Sequence, residues 1–168
     1  MANTFELISA VTVGSGGASS IDLTAIPSTY TDLCIKLSVR GTKTGTGEGI
    51  YMSINGATTN RTWRWLYGSG SAAGSGSGSD TMIGNMTASS ATANTFSNAD
   101  IYIPNYAGSA YKSVSVDSVD ENNATGAFSN LTAVLWSNIA AITSLSFTPE
   151  ANLFAQYSTA YLYGVKNA

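Results

Sequence analysis

Between Asp32 and Arg40 the chain alternates without a break. Leu33, Ile35, Leu37 and Val39 fall on one side, and Asp32, Lys36, Ser38 and Arg40 on the other. A period of two sends successive side chains to opposite faces of a β-strand, one face in a core and one in water, whereas a helix needs a period near 3.6. By the same parity Cys34 lies on the wet face beside Lys36. The rhythm recurs from Phe5 to Val13, at Ile21–Leu23 and Ile50–Ile54, through Trp63–Tyr67 and Met82–Met86, then at Ile101–Ile103, Val114–Val116, Leu131–Leu135, Leu145–Phe147 and Tyr157–Val165.

Turn signals separate these runs. Asn55-Gly56 supplies the positive φ angles of a tight turn, and Gly14-Ser15-Gly16-Gly17, Pro27-Ser28-Thr29, Pro104-Asn105 and Thr148-Pro149-Glu150 close others. Ser129–Ala141 fits either one or two helical turns or a strand, a loop and a strand. With 168 residues the prior is one domain over 1–168. Roughly eight to ten antiparallel strands then predict an all-β fold, a β-sandwich of the jelly-roll kind with two facing sheets of about four strands. Residues 68–79 (GSGSAAGSGSGS) are low in complexity and read as a flexible Gly/Ser-rich loop, with an arm ordered against a neighbouring subunit as the alternative.

The composition removes whole classes of chemistry. There is no histidine, so imidazole triads, proton shuttles and the commonest zinc sites are out, and the single cysteine excludes an internal disulfide. A net charge of −3 argues against nucleic acid as a partner. The N-terminal residues lack the basic and apolar segments of a secretory signal, and the apolar-leaning stretch Leu131–Leu145 is broken by polar residues short of the roughly 20 that span a bilayer. A soluble protein made in a cytoplasm, with no membrane partner, is expected. No catalytic pair or nucleophile motif stands out, so the chain reads as a non-enzyme with no cofactor and no metal. The one oxygen-rich cluster, Asp117, Asp120, Glu121, Asn122 and Asn123, departs from a calcium loop because Ala124 takes a ligand place, and it reads as a turn. Four matches to the glycosylation sequon, at Asn60, Asn85, Asn123 and Asn130, read as chance in an Asn/Thr-rich chain.

Arg61-Thr62-Trp63-Arg64-Trp65-Leu66-Tyr67 concentrates two of three tryptophans and two of seven basic residues. In a strand, Arg61, Trp63, Trp65 and Tyr67 share one face, and Thr62, Arg64 and Leu66 the other. Aromatic and arginine side chains dominate interfaces, so Arg61, Trp63, Arg64, Trp65 and Tyr67 are candidate contacts for a subunit or a shell, with an ordinary core or a sugar-stacking platform as alternatives. Only 10% of residues are charged, and seven basic residues with three prolines guard sheet edges thinly. Association with copies of itself or with a larger assembly follows as an expectation.

Several stretches resemble those of a known group. Ile21-Asp22-Leu23, Ile26-Pro27-Ser28-Thr29-Tyr30-Thr31-Asp32-Leu33, Ser38-Val39-Arg40 and Ile54-Asn55-Gly56 are similar to a pattern in small virion proteins of tailed bacteriophages, especially aquatic and cyanobacterial ones. Ile101-Tyr102-Ile103-Pro104-Asn105-Tyr106 and Tyr161-Leu162-Tyr163-Gly164 fit the same group. The resemblance implies a jelly-roll decoration or cement protein of the capsid surface, often a homotrimer, whose partner is the major capsid protein. A tail-fibre or tail-tip module that binds host glycans is the alternative it implies. These motifs punctuate structure and bring no site residues with them.

Overall fold

The computed structural model describes residues 4–123 and 126–166, and none of the described residues is helical. Twelve strands follow in chain order: β1 (Phe5–Thr12), β2 (Ile21–Leu23), β3 (Asp32–Val39), β4 (Gly47–Ile54), β5 (Arg61–Gly68), β6 (Ala73–Gly78), β7 (Met82–Thr87), β8 (Ser97–Ile103), β9 (Lys112–Val119), β10 (Ser129–Trp136), β11 (Leu145–Pro149) and β12 (Thr159–Val165). They form two antiparallel sheets, one of eight strands in the order β1-β12-β3-β8-β9-β10-β5-β6 and one of four in the order β2-β11-β4-β7. The protein is an all-β sandwich with more strands than the eight to ten expected.

The alternation explains the core. Leu33, Ile35, Leu37 and Val39 of β3 are buried in one cluster with Ile50, Met52 and Ile54 of β4 and Leu145 and Phe147 of β11, while Lys36 and Ser38 face water. Burying one aliphatic side chain contributes about 1.5–3 kcal/mol, so this cluster is the main source of stability. The Asn55-Gly56 turn has φ values of 52° and 72°, and it reverses the chain between Ile54 and Ala57. Asn55 also ties down the segment before β11: its Oδ1 accepts the Thr143 and Ser144 N–H groups, and its Nδ2 donates to the Ala141 carbonyl at 2.8 Å.

The Gly/Ser stretch departs from expectation. Ala73–Gly78 is an edge strand rather than a loop, paired in unbroken register with β5. The physical reason lies in the neighbour. Trp63, Trp65 and Tyr67 pair with Gly78, Gly76 and Gly74, and a Cβ at any of the three glycines would sit less than 3 Å from the facing ring. The rings lie on backbone that only glycine leaves open, and they supply the burial that a Gly/Ser strand cannot provide itself.

The stretches Ile26–Leu33, Ile101–Tyr106 and Tyr161–Gly164 meet in space. Asp32 accepts the Tyr102 hydroxyl at 2.5 Å and the Asn105 N–H at 2.8 Å. Tyr106 is buried and donates to the Pro27 carbonyl, while the Tyr30 ring covers Gly164. Arg40 holds another part of the molecule: its guanidinium donates to the Ser89, Ala91, Thr92 and Thr95 carbonyls, which shapes the loop between β7 and β8. No helix is long and apolar enough to cross a membrane among the described residues.

Candidate functional site

The ladder registers place two rows of side chains across the outer face of the larger sheet. One row is Tyr161, Lys36, Asp100, Asp117, Leu131, Leu66 and Ser75; the other is Tyr163, Cys34, Tyr102, Ser115, Ala133, Arg64 and Ser77. Between them runs an open groove of about 1050 Å³ that reaches from Cys34 and Lys36 on β3 to Ser75 and Ser77 on β6. Alternation alone would seat Leu131, Ala133 and Leu135 inward. The structure turns them out and buries Asn130, Thr132, Val134 and Trp136 instead. Leu66 and Leu131, which face each other across β5 and β10, are 62% and 59% exposed. Leu7, Tyr102, Val119, Leu135 and Tyr161 extend the same apolar face.

Four charged side chains, Lys36, Asp100, Asp117 and Arg64, stand in the two rows and are unevenly placed. Lys36 and Asp100 form an ion pair at 2.5 Å, and that contact raises the Lys36 ammonium above its usual range. Asp117 sits directly opposite Asp100 on the next strand, a like-charge placement that the Lys36 ammonium offsets. Arg64 lies two strands beyond Asp117 and donates to the Trp63 carbonyl at 3.1 Å. Cys34 lies within the groove, and burial pushes its thiol up, which keeps it protonated and a weak nucleophile.

The candidate contacts from the aromatic stretch divide as parity requires. Arg61, Trp63, Trp65 and Tyr67 turn to the inner side, and Arg64 alone of the five projects from the outer side. Arg61 and Trp63 are buried, so neither is available to a partner. Arg61 donates to the Met52 carbonyl, no carboxylate among the described residues is paired with it, and burial lowers its guanidinium to about 10, still charged at neutral pH. Trp63 donates from Nε1 to Asp80 at 2.8 Å. Trp65 and Tyr67 are half-buried and continue a row of tilted rings, with centroids 5.1 Å apart for Trp63–Trp65 and 5.9 Å for Trp65–Tyr67, ending on Phe128. This row is chiefly internal.

The oxygen-rich cluster does not converge. Asp117 points into the outer groove, whereas Asp120 and Asn122 are buried on the other side. No group of three His, Cys, Asp or Glu side chains is placed to hold a metal ion among the described residues. Asp120 accepts the Phe128 N–H through Oδ1, its Oδ2 has no partner among the described residues, and burial raises its carboxyl to about 6. Ala124, the residue that breaks the calcium pattern, lies outside the described residues.

No family model, curated protein or solved structure matches the chain. The outer face is broad and amphipathic, with exposed leucines beside Arg64, Asp100 and Asp117. The sequence signal for it is Leu66, which shares the face of Thr62 and Arg64 opposite the aromatic row.

Proposed function

We propose that the protein is a non-enzymatic structural component of a bacteriophage particle, a decoration protein that lies on the outer surface of the head, binds the major capsid protein and associates with copies of itself. The observation that carries the docking role is the outer face of the eight-stranded sheet, where Leu66 and Leu131 stand in water at 62% and 59% exposure. Adjacent exposed leucines on a sheet face, here ringed by Arg64, Asp100 and Asp117, are one mark of a contact surface. Eight strands at about 4.8 Å spacing and about 22 Å long give a face of roughly 850 Å², close to the share that one partner contributes to a standard interface.

The strand order supports the same reading. Within the two sheets, β1-β12-β3-β8 faces β2-β11-β4-β7, which is the order of a jelly roll built from eight strands. The pairs β5–β6 and β9–β10 then read as inserted hairpins that widen one sheet only. Jelly rolls serve viral shells and also lectins, so topology alone does not choose between them. The groove, with Asp100, Asp117, Arg64 and Tyr102 around apolar residues, favours a second reading as a glycan-binding tail module. In that reading Trp63 contributes nothing, being buried.

Co-sedimentation with undecorated heads tests the proposal. Wild-type protein is expected to pellet with heads in 0.1 M and 0.5 M NaCl alike, because apolar area is only weakly screened, and Leu66→Asp/Leu131→Asp to stay in the supernatant while remaining folded. Binding to host cells but not to heads, or equal pelleting of the double variant, refutes the docking role of this face.

A further inference from the structure

Four sheet edges border the sandwich, and three are guarded by devices that block further pairing. β1 carries a register break between Leu7 and Ser9, and Glu6 on it is ion-paired to Lys166 at 2.9 Å. β2 is three residues long and carries Asp22. β7 meets β4 through a register break at Ile50/Tyr51, and the Thr87 N–H at its end is taken by Ser97 Oγ. Bulges, charges, short strands and side-chain caps are the usual means of keeping an edge from recruiting another strand.

β6 has none of them. Its six residues, Ala73-Gly74-Ser75-Gly76-Ser77-Gly78, contain no charge and no proline and pair with β5 without a break. The ladder groups on its far side have no strand beside them among the described residues. The strand is also shaped for close approach. On its inner side only glycine hydrogens and the edges of the Trp63, Trp65 and Tyr67 rings stand over the backbone, so an incoming strand meets no side chain of β6 there.

We infer that β6 pairs with β6 of a second copy, antiparallel and centred on Gly76. Side chains of paired residues must share a face. Register about Gly76 therefore sets Ser75 against Ser77 of the partner copy on the outer side, twice, and glycine against glycine on the inner side. The twofold axis stands perpendicular to the sheet, so the outer faces of both copies point the same way and form one continuous surface. Inside, the two Trp65 residues lie three strand spacings apart, about 14 Å between Cα atoms. Each indole extends toward the shared axis over Gly76, so the rings approach across the seam. The pairing is independent of what the outer face binds. It gives an even-numbered assembly, where the phage resemblance implies a threefold one.

The test is the mass in solution of the full chain at about 100 μM. Wild type is expected at twice the 17.3 kDa of one chain. Ser75→Lys/Ser77→Lys opposes lysines on both sides of the axis and is expected to raise the dimer dissociation constant at least about tenfold. Ala10→Lys, on the β1 edge, is expected to remain a dimer. A wild-type monomer or trimer, or a dimer unaffected by the lysine pair, overturns the inference. Should the lysine pair fail to fold, amide exchange of wild type decides: protection over 74–78 that rises with protein concentration upholds the pairing, and protection independent of concentration refutes it.

Discussion

Replacing Asp120 with asparagine isolates the cost of one buried carboxylate. Asp120 follows the end of β9, fully buried, with Oδ1 accepting the Phe128 N–H and Oδ2 unpartnered. Burial raises its carboxyl from the ordinary 3.8 to about 6. The folded protein thus holds this proton more tightly than the unfolded chain does. Stability contributed by Asp120 is therefore greatest below about pH 4, falls between pH 4 and 6, and is flat above that. A shift of about two units corresponds to about 3 kcal/mol lost by pH 8, at about 1.4 kcal/mol per unit. Asp120→Asn keeps the Oδ1 acceptor for Phe128 and carries no charge at any pH. At pH 4 it exchanges one unpartnered O–H donor for the two N–H donors of the amide, so a variant equal to or slightly less stable than wild type is expected there. At pH 8 the variant is expected to be more stable by about 2–3 kcal/mol, a rise in Tm of about 4–10 °C for a chain of this size. Urea unfolding of both proteins at pH 4, 6 and 8 measures the difference directly. Curves that stay parallel across the range, or a variant less stable at pH 8, would show that Asp120 is ionised at little cost and refute the reasoning.

Two further outcomes concern packing. Gly76→Ala is expected to destabilise by about 1–3 kcal/mol, because the added methyl displaces the Trp65 ring from β6; a change in tryptophan emission should accompany it, and an unchanged urea midpoint would contradict the ring-on-glycine account. Arg40→Ala removes a donor to four loop carbonyls and is expected to cost about 2–4 kcal/mol, with faster amide exchange over 88–96; a loss under about 0.5 kcal/mol would mean that the loop holds itself.

The strands were legible because most bury one face. In β3 the apolar residues sit at every second place, and the structure buries each of them. In β10 the same reading points the wrong way, since Leu131, Ala133 and Leu135 face outward while Val134 and Trp136 anchor the inner side. Local alternation has no access to which neighbours a strand meets. β6 was hidden for a related reason: its stability resides in rings carried by β5, and its own residues signal only flexibility. Parity in the aromatic stretch is correct, but the stretch itself carries no sign of the partner strand that lies against Trp63. The oxygen-rich cluster does not converge because Asp117 lies on the outward side of β9 whereas Asp120, just past the end of that strand, is buried. Arg40 gave no local sign of its clamp, since its acceptors lie 52 and 55 residues away at Thr92 and Thr95.

The position of β12 governs the timing of folding. It lies between β1 and β3, pairing with Thr12 at one end and Phe5 at the other. Neither neighbour can complete its ladder until Val165 has left the ribosome. At about 5–20 residues per second, β1 waits roughly 10–30 s after its own synthesis with its hydrogen-bonding groups bare. During that interval the strand that closes β1 within its own chain has yet to be made, so slower synthesis lengthens the time for which that edge stands open.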